Sequence, residues 1–206
     1  MTSQPDQLAP TASQDKGVPT EEPQEAHSRV WDIVREVIET ILLAAVIWLA
    51  VNFATARYVV DGQSMEPNLH TGQFLIVSRL AYRFGAPQRG DIVVFDFPNN
   101  PADDYVKRII GLPGEEVVIE DGSIYINGQP LREPYIPAEV SVGYGRGRWV
   151  VPEDKYFVLG DNRAHSSDSR NWGMLDRQAI IGKAWISYWP PQSWGLIPHY
   201  DYGSAP

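Results

Sequence analysis

Ser64 and Lys107 are the residues whose types and settings point to bond-breaking chemistry. Ser64 lies in Asp61-Gly62-Gln63-Ser64-Met65-Glu66-Pro67, where glycine and proline bracket a tight turn that can present a side chain at a surface. A serine hydroxyl is a weak nucleophile at neutral pH and needs a base within hydrogen-bond reach. Lys107, in Tyr105-Val106-Lys107-Arg108-Ile109-Ile110, can be that base only as the neutral amine. In strand alternation Lys107 shares a face with Tyr105 and Ile109, and an apolar neighbourhood disfavours the ammonium. Bringing a lysine from about 10.4 to about 8 takes roughly 3 kcal/mol, at about 1.36 kcal/mol for each tenfold change. Arg108 faces the other way and keeps its proton, so it cannot serve. Singly, a serine in a turn and a lysine on a strand are ordinary structural residues; the chemistry needs the pair.

A third segment, Gly160-Asp161-Asn162-Arg163 through Ser166, Ser167, Asp168, Ser169 and Arg170, is dense in polar groups. Asp161 and Arg163 are expected to fix the loop. His165 offers a rival base, since a Ser64–His165–Asp arrangement is conceivable. His70 and His199 sit in Gly- or Pro-flanked loops, and the four histidines carry no metal-ligand spacing. The sequence therefore implies neither a metal nor a cofactor.

Short β-branched and aromatic runs must position these residues. They are Phe74–Val77, Asp91–Phe95, Val106–Ile110, Val117–Ile119, Ser123–Ile126, Tyr156–Leu159 and Ile180–Trp189, each bounded by turn residues. Asp121-Gly122 and Asn127-Gly128 are hairpin dipeptides, because both central positions of a type I′ turn need positive φ. The segment 133–149, with Gly143, Gly145 and Gly147, lacks the Gly-Lys-Ser/Thr ending of a phosphate loop and reads as a surface hairpin. The expected fold is mainly β, antiparallel, over residues 58–206.

Residues 1–28 hold almost no large aliphatic side chains and read as a disordered tail. From Val30 apolar residues recur at helical spacing, and no charge occurs between Glu39 and Arg57. That window of about 17 residues approaches the length needed to cross a hydrocarbon core of roughly 30 Å. Residues 29–57 are therefore read as a single transmembrane helix. A buried core helix and a cleaved signal peptide, cut after Ala54-Thr55-Ala56, are the rival readings; the long acidic stretch before the apolar run argues against the second. Only about eight residues separate this helix from Ser64, roughly 26 Å when extended, which holds the serine near a membrane surface. Leu69, Phe74, Leu75, Tyr82, Phe84, Trp185, Tyr188, Trp189 and Trp194 supply material for the core or for that interface.

With 206 residues, 43% of them hydrophobic, the chain can build one domain beside the helix and tail. The net charge of −9 argues against nucleic acid, which needs clustered Lys and Arg. With no cysteine, disulfides and thiol catalysis are excluded.

Four boxes follow one another behind the apolar segment: Ser64-Met65-Glu66-Pro67; Gly90-Asp91-Ile92-Val93-Val94-Phe95; Tyr105-Val106-Lys107-Arg108 running into Gly111-Leu112-Pro113-Gly114; and Gly160-Asp161-Asn162-Arg163 through Arg170. Over roughly residues 30–190 the chain resembles the type I signal peptidase (leader peptidase) family. The resemblance implies a coiled-sheet catalytic domain and a membrane-bound serine endopeptidase that removes signal peptides from exported preproteins after small-x-small sites. It puts the nucleophile on Ser64 and the general base on Lys107. It implies that Ser166 orients the lysine (Ser167 if the register slips by one) and that Asp168 and Arg170 hold the loop as a charge pair. The Ser64 backbone N–H would be the oxyanion donor; some members add a serine two positions earlier, where this chain has Gly62. The position after the proline, commonly Thr, is Asn68. Substrate would lie extended along Val60, Gln63, Asp104, Tyr105 and Val106, with shallow pockets for small side chains. The implied partners are preproteins and the lipid bilayer, with the N-terminus cytoplasmic and the catalytic domain extracytoplasmic. SOS-repressor autoproteases share serine–lysine chemistry but need a DNA-binding module. A mitochondrial or conjugation-system processing peptidase would differ in substrate, and a non-catalytic peptide-binding domain is the contrasting class.

Overall fold

The computed structural model describes residues 23–83, 85–137 and 145–202; the first 22 residues of the expected tail, Phe84 and Gly143 lie outside them. Helix α1 (Pro23–Ala54) begins inside the stretch read as tail and ends three residues before Arg57. Its segment Arg29–Ala54, 26 residues, is long and apolar enough to cross a membrane. At about 1.5 Å per residue it measures about 39 Å, against a hydrocarbon core of about 30 Å. Near its end Asn52 Nδ2 donates to Trp48 O and Thr55 Oγ1 to Val51 O, both 2.8 Å, so the late carbonyls are satisfied locally.

From Thr55 onward the described residues form an antiparallel β domain. Twelve strands run β1 (Thr55–Val59), β2 (Phe74–Ser78), β3 (Ile92–Phe97), β4 (Asn100–Gly111), β5 (Glu116–Glu120), β6 (Ser123–Ile126), β7 (Gln129–Pro130), β8 (Gly147–Val150), β9 (Lys155–Leu159), β10 (Leu175–Asp176), β11 (Ile180–Trp189) and β12 (Gly195–Leu196). One sheet has the order β1-β2-β11-β3-β4-β9-β10, with β12 added to β11; a smaller one is ordered β7-β6-β5-β8. The apolar runs found in the sequence all lie in these strands. Hairpin residues Asp121 and Gly122 have φ 48° and 76°, and Asn127 and Gly128 have 50° and 78°, as type I′ turns require. A four-residue helix α2 (Ser169–Trp172) is capped by the Asp168 side chain.

Among the described residues three buried clusters fill the domain. One contains Met65, Leu69, Leu75, Val77, Ile92 and Val94 and lies beneath the Ser64 turn. A second joins the small sheet to β9 through Ile119, Ile124, Val151 and Phe157. The third packs Phe95, Ile109, Tyr156 and Val158. Leu69 and Leu75 are thus core residues, whereas Trp185, Trp189 and Trp194 remain 48%, 53% and 75% exposed. Among the described residues of that set only these three, on β11 and next to β12, are exposed.

Candidate active site

The turn bearing Ser64 leaves β1 through Gly62, whose φ of +85° suits glycine. A Cβ there would meet nothing within 4 Å, so a serine at that position has room but a strained backbone. Met65, next in line, is wholly buried, and filling that site contributes on the order of 1.5–3 kcal/mol. Its carbonyl accepts Leu69 N–H at 2.9 Å, and the Ser64 carbonyl accepts Asn162 N–H at 3.0 Å. The serine is held from both sides of its own backbone.

Lys107 sits in β4 opposite Val93 of β3. Only 4% of it is exposed, and its Nζ lies 2.8 Å from Ser64 Oγ and 2.8 Å from Val106 O. The Tyr105 ring centroid is 5.3 Å away on the same face. Burial brings the Lys107 pKa down to about 8, partly countered by the Asp168 and Asp161 carboxylates. A neutral amine against a serine hydroxyl can deprotonate it, which is the pairing nucleophilic acyl transfer requires.

Arg108 is fully buried and forms a two-pronged ion pair with Asp161, Nε to Oδ1 at 2.8 Å and Nη2 to Oδ2 at 2.7 Å. Its Nη1 donates to Gly90 O at 2.9 Å, and the Tyr135 ring covers the guanidinium at 4.0 Å. Burial acts against its charge, but the hydrogen bonds and charge of Asp161 outweigh it and raise the Arg108 pKa. Asn68 Nδ2 completes the group, donating to Asp161 Oδ2 at 2.8 Å and Tyr135 O at 3.0 Å. The next loop residues are secured similarly. Arg170 Nε and Nη2 each reach Asp168 at 2.8 Å, Gly160 N–H donates to Asp168 Oδ2 at 3.1 Å, and Arg163 donates to Gly160 O and Glu133. Sequence reasoning named Arg108 only to dismiss it as a base. It missed the pairing with Asp161, the Tyr135 cover and the bridging role of Asn68, since no local pattern joins residues so far apart in the chain.

Ser166 is brought to the same place, but its Oγ is buried without a hydrogen-bond partner. The contact to Lys107 implied by the resemblance is not formed. Gly160 is what lets these groups meet: a Cβ built there would lie 2.4 Å from Ser64 O and 2.3 Å from Ser166 Oγ. Gly160→Ala is therefore expected to displace the serine turn. A shift near 1 Å costs about a hundredfold in rate, and overpacking costs about 1–3 kcal/mol. Steady-state kinetics and a thermal melt of that variant read both.

His165 lines the same cleft, yet its Nδ1 faces Asn162 Oδ1 at 3.2 Å; among the described residues it makes no hydrogen bond to Ser64 or to an aspartate. His199 is structural. Its Nδ1 accepts Ile92 N–H at 3.1 Å and its Nε2 donates to Ala184 O at 2.7 Å, which fixes the neutral tautomer. Burial and the Lys183 ammonium lower its pKa to about 4.

A cleft of about 540 Å³ runs from Ser64 and Lys107 between the end of β1 and the first half of β4; Val60, Gln63, Asp104, Tyr105 and Val106 all line it. Each flank has an open edge. β1 pairs only with β2, and β4 pairs with β9 only from Arg108 onward. Val60 is a partial exception: its side chain is core, its N–H donates to Gln73 O at 2.8 Å and its carbonyl accepts from Gly72.

The antiparallel β domain thus sets a buried lysine against a turn serine beside an open cleft. The family model for signal peptidase, peptidase S26, matches residues 34–189. A probable signal peptidase I-2 of Synechocystis sp. is 40% identical over 169 residues, covering 79% of this chain and 76% of that one. Signal peptidase I of Leptolyngbya laminosa is 39% identical over 188 residues, covering 87% and 91%. A solved signal peptidase I from Enterococcus faecalis is 37% identical, covering 48% of this chain and 96% of that one with a TM-score of 0.45. The chain belongs to the signal peptidase family, peptidase S26, and is a peptide-bond hydrolase of the signal peptidase I type.

Proposed function

We propose that the protein removes N-terminal signal peptides from exported preproteins, with Ser64 as nucleophile and Lys107 as general base. The observation that carries this reading is the 2.8 Å contact between a buried lysine amine and the Ser64 hydroxyl. Neutral Lys107 takes the Ser64 proton as Oγ attacks the scissile carbonyl. The Ser64 N–H stabilises the oxyanion. The Lys107 ammonium then protonates the leaving amine, the C–N bond breaks, and an ester to Ser64 remains. Lys107, neutral again, draws a proton from water as it attacks the ester, then returns that proton to Ser64 Oγ as the ester C–O bond breaks and the new C-terminal carboxyl leaves. Arg108, Asp161, Asp168 and Arg170 hold the geometry without exchanging protons.

Substrate binds as an added strand between the two open edges. Tyr105 and Val106 line one side, with Asp104 at its outer end. On the other side Gln63 and Asp61 replace Val60, whose N–H is already engaged. Helix α1 is the anchor. The family match begins inside it, at residue 34, and Thr55 and Ala56 are already paired with Ser78 and Val77 in the sheet, so a cut after Ala56 would require peeling β1 away. Signal-peptide cleavage sites emerge on the extracytoplasmic side, which puts the β domain there and the N-terminus in the cytoplasm.

The test is incubation of the full-length protein in detergent with a preprotein, reading products by mass. A single cut after a small-x-small site is expected. Scattered cuts, or none by folded protein with several preproteins, would remove the proposal.

A further inference from the structure

Three arginines surround the end of the apolar helix. Arg57 follows Ala54 by three residues, at most about 10 Å of extended chain. Arg79 N–H donates to Ala54 O at 2.9 Å, and the Arg83 guanidinium lies 5.7 Å from the Phe53 ring centroid. All three side chains are exposed, and among the described residues none forms an ion pair. Arg79 lines three cavities, one of about 360 Å³ with Asn52 and Arg57, one of about 500 Å³ with Phe53 and Arg83, and one of about 450 Å³ with Arg83 and Arg177. Asp96 and Asp104 also line the largest one, two carboxylates against the three guanidiniums around the helix end. In a chain of net charge −9 this local basic excess is against the general trend.

A helix that spans the hydrocarbon core ends where the headgroup layer begins, and that layer is roughly 5–7 Å deep on each side. Arg57, three residues past the helix end, Arg79, whose N–H is bonded to Ala54 O, and Arg83, whose guanidinium lies over Phe53, therefore stand beside the headgroup layer. The guanidinium fork suits phosphate oxygens, and the apolar Phe53, Leu80 and Ile181 lie beside it. We propose that Arg57, Arg79 and Arg83 form a binding site for the phosphodiester headgroup of an anionic phospholipid. The site rests on the reading of α1 as a membrane anchor and is independent of the peptidase chemistry. Its consequence is to fix the height and tilt of the cleft against the bilayer, since Tyr58 of β1 lines both this site and the cleft.

The test uses full-length protein reconstituted in mixed phosphatidylcholine and phosphatidylglycerol bilayers, then released and weighed with its bound lipids by native mass spectrometry. Wild type is expected to retain phosphatidylglycerol over phosphatidylcholine by at least about tenfold. Each arginine neutralised weakens this preference, and Arg57→Gln/Arg79→Gln/Arg83→Gln removes it, bringing the ratio to about one. The matching Arg→Lys triple variant, which keeps charge, retains most of the preference and guards against misfolding as the cause. Ser64→Ala binds lipid like wild type. Equal retention of the two lipids by wild type overturns the site while leaving the anchor and the peptidase reading intact. Displacement of phosphatidylglycerol by equimolar glycerol phosphate overturns it in favour of a small-anion site. Failure of wild type to enter the bilayer at all overturns the anchor and the site together.

Discussion

Replacing Lys107 with Met is expected to abolish peptide cleavage while making the protein more stable. A positioned general base contributes up to about four orders of magnitude, and removing one member of a nucleophile–base pair costs nearly as much as removing both, so kcat/KM should fall at least a thousandfold. The stability gain comes from the same burial that creates the base. Unfolded, the lysine titrates near 10.5; folded, near 8. Below pH 8 both states hold the proton, and folding bears the full cost of burying an ammonium, about 3 kcal/mol at about 1.36 kcal/mol for each tenfold change. Between about 8 and 10.5 the folded chain binds fewer protons than the unfolded one, so wild-type stability rises with pH. Above 10.5 the cost is gone. The Lys107→Met advantage should therefore be largest at pH 7, about 1–3 kcal/mol after loss of the contacts to Ser64 and Val106. It should vanish near pH 10.5. Denaturant unfolding at several pH values measures it. In the wild type, kcat/KM should rise with pH through an acid limb centred near 8, because only the neutral amine is competent.

The second large effect is expected at the Arg108–Asp161 pair. Both side chains are wholly buried, so Arg108→Met or Asp161→Leu strands one charge in the interior. Such losses run to about 3–5 kcal/mol, a large part of a typical domain's total stability. The double variant leaves no unpaired charge and should regain most of that loss, as measured by the shift in denaturant midpoint. Activity should not return with it. Arg108 is the residue after Lys107, and Asp161 precedes Asn162, whose N–H holds the Ser64 carbonyl. The pair thus ties the strand carrying the amine to the loop that fixes the serine turn. Apolar side chains can fill the volume but lack that direction, and a misplacement near 1 Å costs about a hundredfold in rate. Full recovery of both stability and kcat in the double variant would reduce the pair to packing.

Much of this arrangement was legible in the sequence because its signals are local. Strand periodicity placed Lys107 on an apolar face, hairpin dipeptides marked the small sheet, and a charge-free run marked α1. Strand β1 and the outer half of β4 were not legible. Thr55–Val59 and Asn100–Asp104 are poor in strand-type patterning, and they extend because neighbouring strands pair with them. The site's supporting residues were hidden for a related reason. Arg108 reads as an exposed strand arginine until Asp161, Gly90 and Tyr135 arrive from three separate segments. Gly160 reads as an ordinary turn glycine until Ser64 and Ser166 close over it. Val60 lines the cleft as its position beside the serine suggests, but the 72–73 turn takes its main chain.

The most direct test of the serine–lysine mechanism compares cleavage of one preprotein by full-length wild type, Ser64→Ala, Lys107→Ala and His165→Ala, read by mass spectrometry across pH 6 to 10. The mechanism predicts no product from the first two variants, near wild-type cleavage by His165→Ala, and a wild-type acid limb near pH 8. Cleavage that survives Lys107→Ala but is lost in His165→Ala would contradict it and move the base to the histidine.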